Sequence, residues 1–236
     1  MGKNFLLLLF FLSGVNGCLA EVPSQPFHLH EHEQWWQEYA GTFNFWPKLE
    51  LWQQDIHKPS RKKMREYVAQ AHYKSILDIP CGAGTDYVGI MHDALEIEYQ
   101  GVEITPKLVD FCKGYNIPAM LGSIENIPFD DAHFDIAYAR HVLEHLSYYE
   151  VALKELIRVA KKEVLVVFFI PPRPLLPDKI NLYVVRGLPL YNNWYNKELI
   201  EQFIMKQKKI YSFSWQKISS SECFLHIYLN EKLIKN

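Results

Sequence analysis

Residues Ser75 to Asp86 read SILDIPCGAGTD, and this stretch constrains the fold more than any other part of the chain. Ser75–Ile79 is short and apolar, and Gly82-Ala83-Gly84 follows at once, so the pattern predicts a buried strand that runs into a tight turn. Glycine reaches positive φ without a steric penalty and leaves no side chain above the backbone. Such a turn lets a ligand lie directly on the main chain. Asp86 to Leu95 then reads as a helix, and a strand, turn and helix in this order open a parallel sheet whose ligands sit beyond the carboxyl ends of its strands.

The rest of the chain keeps that alternation. Ile97–Ile104 predicts a second strand, and Thr105-Pro106 opens a helix with a cap residue and a proline at its first turn. Ala119–Ile124 and Phe134–Tyr138 are further strands. Ser147 with Glu150 three residues on is a capping-box pattern, followed by Val151, Leu153, Leu156, Ile157 and Val159 at helical spacing. Val164–Ile170 is a continuous apolar run stopped by Pro171-Pro172, as expected of a central strand covered on both faces. Residues 171–195 are irregular and proline-punctuated. Asn196 caps a helix to about Lys208, and Ile210–Ile218 and Cys223–Asn230 read as an antiparallel pair joined at Ser219-Ser220-Ser221. The class is α/β, with a mostly parallel sheet and right-handed crossovers.

A chain of 236 residues, 49% hydrophobic, can bury one sizeable core. A formal charge of -2 gives no basic footprint for a nucleic-acid backbone, so no nucleic-acid partner is expected and a small molecule is. The sequence sets no oligomeric state. Cys18, Cys81, Cys112 and Cys223 show no CxxC spacing, which argues against a zinc knuckle, and loss of Cys18 would leave an odd number, against a disulfide scaffold.

Residues 1–20 carry Lys3, an apolar run from Phe5 to Leu12, and small residues ending at Cys18-Leu19-Ala20. This predicts a secretory signal peptide cut after Ala20; the run is short for a membrane span. Val15-Asn16-Gly17-Cys18 also resembles a lipobox, so export and membrane association through the N-terminus are both expectations. Residues 21–73 are aromatic and helix-like, with Trp35 and Trp36 among them, end in a helix over Ser60–His72 that Ser60 is expected to cap, and form either a packing flap or a lid. They are assigned as an N-terminal helical lid on a domain covering 74–236. His28, His30 and His32 fit a solvated tail better than a metal site.

A dinucleotide fingerprint would carry a third glycine where Tyr87 stands, and Asp86 beside it would repel a pyrophosphate. A cofactor without phosphates suits the turn better. Glu103, about 20 residues past the turn, stands where a carboxylate accepts both hydroxyls of a ribose. Three further blocks follow, SIENIPFDDAHFD from Ser123, RHVLEHL from Arg140 and LKELIRVAK from Leu153. With SILDIPCGAGTD, this set resembles the class I S-adenosylmethionine-dependent methyltransferases, in particular their small-molecule branch, over about Lys74 to Ile170.

The resemblance implies a Rossmann-like seven-stranded sheet with an antiparallel C-terminal strand pair, an S-adenosyl-L-methionine cofactor and a small-molecule methyl acceptor, such as a lipid or saccharide precursor. It implies that Asp78, Gly82 and Gly84 border the methionine part, that Glu103 holds the ribose and that Ile104 packs on adenine. Ser123 and Ile124 would flank the adenine edge, and Arg140 and His141 would close the site near the sulfonium. Many relatives carry Asp where Ser123 stands, so that carboxylate partner of the adenine amino group is absent here. Residues 171–195, with Arg173, Tyr183, Tyr191, Trp194 and Tyr195, correspond to the acceptor-side insertion.

His141 and then His145 are the candidate bases, since imidazole titrates near neutrality, with oxygen the preferred acceptor atom. His141 to His145 also spells HxxEH, a zinc-protease pattern that would need both histidines on one helix face. The methyltransferase blocks around it outweigh that reading. Glu144-His145 at this place also resembles a metal pair of some methyltransferases; packing is the preferred reading, and no metal is assigned. The rival from another class is a non-catalytic, exported binding protein that keeps the fold.

Overall fold

A computed structural model describes residues 33–39, 53–185 and 187–229. The signal-like segment, the lipobox-like Cys18 and the alternating histidines lie outside the described residues. Among the described residues, no helix is long and apolar enough to cross a membrane.

The elements run in order as α1 (Gln34–Tyr39), a 3-10 turn (Gln54–His57), α2 (Pro59–Gln70), β1 (Ser75–Asp78), α3 (Thr85–His92), β2 (Glu98–Glu103), α4 (Pro106–Gly114) and β3 (Ala119–Leu121). The chain continues through β4 (Phe134–Arg140), a 3-10 turn (Leu143–His145), α5 (Glu150–Val159), β5 (Ala160–Phe168), β6 (Leu182–Val185), β7 (Leu188–Tyr191), α6 (Lys197–Met205), β8 (Ser212–Lys217) and β9 (Cys223–Tyr228). Seven strands form one sheet in the order β3-β2-β1-β4-β5-β9-β8, and β6 and β7 pair separately. β1 to β5 are parallel to their neighbours, and β9 runs antiparallel between β5 and β8. The expected α/β sheet with its antiparallel C-terminal pair is therefore present. Strand order reverses between β1 and β4, which puts the ligand crevice at the ends of these two strands.

The sheet is covered on both faces. One core joins Leu77, Ala137, Val164 and Val166 to the inner side of α5, where Leu153 and Leu156 are fully buried. The other joins Ile76, Ile136, Leu165 and Val167 to Met64 and Val68 of α2 and Ile90 of α3. Successive residues of β1 and β5 serve opposite cores, which is why both strands read as unbroken apolar runs. Each such aliphatic side chain contributes about 1.5–3 kcal/mol on burial.

Four local expectations are corrected. Ser60 does not cap α2: Pro59 takes the first helical turn, Lys58 is the cap residue, and Ser60 lies inside the helix. Ser147 does not open α5 either, which begins at Glu150 after Tyr149. β3 ends at Leu121, short of Ile124. Residues 171–195 are not wholly irregular, because β6 and β7 form a hairpin turning at Gly187, whose φ is +84°. Asn196 does cap α6, its side-chain oxygen accepting from Leu199 N at 2.8 Å.

Candidate active site

β1 delivers the chain into the turn, where Gly82 and Gly84 adopt φ of +56° and +72°. A Cβ on Gly84 would lie 2.6 Å from Ile117 Cδ1, so this glycine serves close packing. A Cβ on Gly82 would meet nothing within 4 Å, so open space lies over that residue. The neighbouring Cys81 is buried under Gly101, and its thiol is pushed well up, first by its contact with Cys112 and then by burial. It is a packing residue and not a nucleophile.

Glu103 ends β2 beneath this space. Its Oε2 accepts from Gly82 N at 2.9 Å and its Oε1 from Thr105 N at 3.0 Å. Burial pushes the carboxyl above its ordinary range, opposed by the N–H donors of Thr105 and Gly82. Each carboxylate oxygen accepts more than one hydrogen bond, so two backbone donors fix the group and leave capacity for a diol. Ile104 is half-buried beside it, while the Ile124 side chain is packed in the core.

On the other side of the turn, Asp78 Oδ2 accepts from the Tyr99 hydroxyl at 2.7 Å. Asp78 Oδ1, the hydroxyl of its register neighbour Tyr138 and Asp86 Oδ1 are buried without a hydrogen-bond partner among the described residues. An unmet buried polar atom costs about 1–3 kcal/mol, so this group of them suits a polar ligand end or bound water. Burial, with Asp86 nearby, pushes the Asp78 carboxyl well up. Asp86 does not point a bare charge at the turn: Arg61 of α2 pairs with its Oδ2.

Arg140 and His141, at the end of β4, converge on a residue from the opposite edge of the sequence. Glu222, just before β9, accepts at its Oε1 from Arg140 Nη2 at 2.8 Å, from Ser60 Oγ at 2.9 Å and from His141 Nε2 at 2.8 Å. His141 above all, with Ser60 and Arg140, holds the Glu222 carboxyl down at about 2. Burial lowers the His141 pKa, with Glu222 opposing. Arg140 is thus committed to an internal ion pair.

His145 is held differently. Its Nδ1 lies 2.9 Å from the Tyr191 carbonyl oxygen, which can only accept, so Nδ1 carries the hydrogen and the neutral ring presents a lone pair at Nε2. Burial lowers its pKa, opposed by the hydrogen bond to Tyr191, and the net fall favours the neutral ring. The ring stacks on Phe169 at 5.3 Å and 30°, and Trp36 of α1 lies 4.9 Å away. His141 also lies 5.3 Å from Phe169, so the two histidines flank one ring. They do not share a helix face, because His141 sits at φ +55° and only the 3-10 turn follows. The HxxEH reading fails on that geometry. Glu144 turns away, accepting from Phe169 N at 2.8 Å and Ile170 N at 3.2 Å, and burial pushes its carboxyl up to about 7. Among the described residues, no group of three or more His, Cys, Asp or Glu could hold a metal ion.

In the acceptor-side segment, Arg173 stacks on Trp194 with its guanidinium carbon 4.5 Å from the ring centroid, and Tyr183 is exposed. Tyr195 is a core residue whose hydroxyl donates to Leu143 O at 2.8 Å. From the N-terminal side, the Ser123 hydroxyl donates to Glu33 Oε1, and Thr105 Oγ1 donates to the Trp36 carbonyl at 3.1 Å. Glu33, Arg61, Ser60 and Glu222 are site residues that sequence reasoning missed. Arg61 alone had a signal, three residues before Met64 on the buried face of an amphipathic helix.

Residues 77–168 match the family described as "Methyltransferase domain". The uncharacterized methyltransferase YcgJ of Bacillus subtilis is 29% identical over 116 residues, covering 45% of this chain and 45% of that protein. The chain thus spans just under half the length of this relative. Demethylmenaquinone methyltransferase of Staphylococcus aureus is 26% identical over 167 residues, covering 66% of this chain and 68% of that one. The solved magnesium protoporphyrin IX methyltransferase of Synechocystis PCC 6803, with bound SAH, superposes with a TM-score of 0.58 at 11% identity, over 84% of this chain and 98% of that one. Identity that low speaks for the fold. The domain match falls on the strands that carry the turn and its carboxylate, so residues 77–168 are similar in sequence, and the sheet in fold, to the class I S-adenosylmethionine-dependent methyltransferases.

Proposed function

We propose that this protein transfers a methyl group from S-adenosylmethionine to a small molecule, with oxygen as the preferred acceptor atom. The observation that carries the reading is the pairing of open space over Gly82 with a buried Glu103 already fixed by Gly82 N and Thr105 N. When bound, the cofactor supplies a methyl group already activated on a sulfonium. The chain's own work is therefore to position and to exclude water. Glu103 would accept the ribose hydroxyls, and the polar atoms of Asp78 and Tyr138 would meet the methionine end. Trp36 and Phe169 wall the space around His145, whose Nε2 is oriented to take a proton from a hydroxyl acceptor. His141, with its Nε2 committed to Glu222, retains Nδ1 and is the second candidate base.

Calorimetry of the full chain with S-adenosylmethionine and S-adenosylhomocysteine tests the reading. Both should bind, and Glu103→Ala should weaken each by about 100-fold or more, the cost of stranding two hydroxyls at a site built to accept them. A folded protein that binds neither would sink the enzyme and leave the non-catalytic binding protein. The first twenty residues are proposed to direct export or membrane attachment, and a reporter fused to residues 1–25 should leave the cytoplasm.

A further inference from the structure

The β6–β7 hairpin has no polar face. The residues of its two strands, Leu182–Val185 and Leu188–Tyr191, are all apolar or aromatic, and none of them is buried. Successive strand residues point to opposite sides, so Leu182 and Val184 lie on one face and Tyr183 and Val185 on the other. An antiparallel ribbon that stands in water keeps its apolar residues on one face only. Here Leu182, Tyr183 and Val184 are all exposed, Val184 at 71%, and Leu175 on the stretch leading in is exposed at 91%. Apolar exposure gathered in this way marks an interaction site. At the base of the hairpin, Lys179 pairs with Trp194 through the main chain, and the cationic groups of Arg173 and Lys179 lie 4.5 and 5.7 Å from the Trp194 ring centroid. In sequence, residues 171–195 hold Arg173, Lys179 and Arg186 against Asp178 alone, a positive segment in a chain whose formal charge is -2. Asp178 is turned inward, its Oδ1 accepting from Asn196 N.

We propose that the β6–β7 hairpin docks this protein on an anionic lipid surface, its strands entering the boundary between headgroups and acyl chains. A partner protein would cover one face of a two-stranded ribbon and leave the other in water, whereas a bilayer interface surrounds both. Trp194 with its two cations then sits at headgroup level, where an amphipathic ring has one side apolar and the other wet. Basic charge beside an apolar wedge adds attraction to anionic lipids. β7 also carries the Tyr191 carbonyl that orients His145, so the docked surface lies beside the candidate base. The docking itself does not depend on methyl transfer.

The test is sedimentation of the full chain with vesicles of phosphatidylcholine, either alone or with about one-third phosphatidylglycerol. Wild type should partition onto the anionic vesicles, and Leu182→Ser/Val184→Ser should lower that partition by about 10-fold or more, the scale of two aliphatic side chains kept in water. Arg173→Gln/Lys179→Gln should remove most of the preference for anionic over neutral vesicles, as should raised salt. Every variant keeps residues 1–20, so a loss on changing the hairpin belongs to the hairpin. A double serine variant that sediments as well as wild type overturns the proposal and assigns attachment to the N-terminal segment. A wild type that sediments with neither vesicle also overturns it, and a dimer in gel filtration that the serine variant abolishes would then make a second copy of the chain the occupant. Should the double variant fail to fold, Leu175→Ser carries the test, with a loss of about threefold or more expected and an unchanged partition equally fatal. None of these outcomes touches cofactor binding, which calorimetry reads separately.

Discussion

The two halves of the crevice are built on different plans. On the cofactor side, Glu103 is fixed by backbone groups of Gly82 and Thr105, 21 and 2 residues away. On the acceptor side, His141 is fixed by a side chain 81 residues on, and His145 by a carbonyl 46 residues on. These main-chain donors lie just past the ends of two adjacent parallel strands and are placed by the pairing of those strands, so the first half is set by register. The second half waits for β7 and the turn before β9 to dock. On the function proposed above, recognition of the cofactor would rest on contacts set by strand register and recognition of the acceptor on contacts set by distant segments.

Gly84→Ala and Gly82→Ala cut into the register-built half in opposite ways. The Gly84 change places a Cβ 2.6 Å from Ile117 at φ +72°, and should cost about 3 kcal/mol in urea unfolding, from overpacking added to left-handed strain. Gly82→Ala meets open space and should cost about 1 kcal/mol from its φ alone. Its Cβ would instead enter the ligand's space, so S-adenosylhomocysteine affinity should fall more for Gly82→Ala than for a folded Gly84→Ala. Equal losses of affinity would show that the open space over Gly82 is not where the cofactor lies.

Glu222→Ala attacks the other half and should cost about 2 kcal/mol, because Arg140 and His141, both largely covered, lose a charge-assisted partner. The pH dependence has a definite sign. The Glu222 carboxyl is held at about 2 in the fold, below its ordinary value near 4.3. Its contribution is present above pH 5 and is lost as pH falls toward 2. Wild type should therefore lose stability across that window more steeply than Glu222→Ala, read as urea midpoints at successive pH values. Cofactor affinity should change little, since Glu222 touches neither Gly82 nor Glu103.

The same division explains what could be read from the chain alone. The strand order and the Gly82–Glu103 pair follow from alternation and a motif closed within about 20 residues, and both are present in the structure. Glu33 and Glu222 reach Ser123 and His141 across 90 and 81 residues, through two regions with no periodic pattern, and no local spacing encodes such meetings. The hairpin β6–β7 was hidden because each strand has four residues and Pro189 sits in one of them, which disfavours a strand reading. Serine at 60 and 147 misled for a related reason. Both have the chemistry of a cap, but Pro59 fixes one helix start and Tyr149 precedes the other, so the local hydroxyl is used elsewhere or not at the helix end.

Asn196 is the place where both plans meet in one side chain, and it gives the smallest and most discriminating test. Its oxygen caps α6 through Leu199 N at 2.8 Å, a contact the sequence announces, while its Nδ2 donates to Leu176 O at 2.6 Å across 20 residues. Asn196→Ala removes both and should cost about 1 kcal/mol, or about 2–4 °C in melting temperature for a chain of this size. Asn196→Asp keeps the cap acceptor and loses only the donor to Leu176, so it should cost about half as much. If the aspartate variant is as unstable as the alanine one, the long-range link outweighs the cap even at a helix start, and the acceptor side owes nothing measurable to local sequence. A fully stable aspartate variant would instead make α6 a locally determined element inside the half assembled from distant contacts.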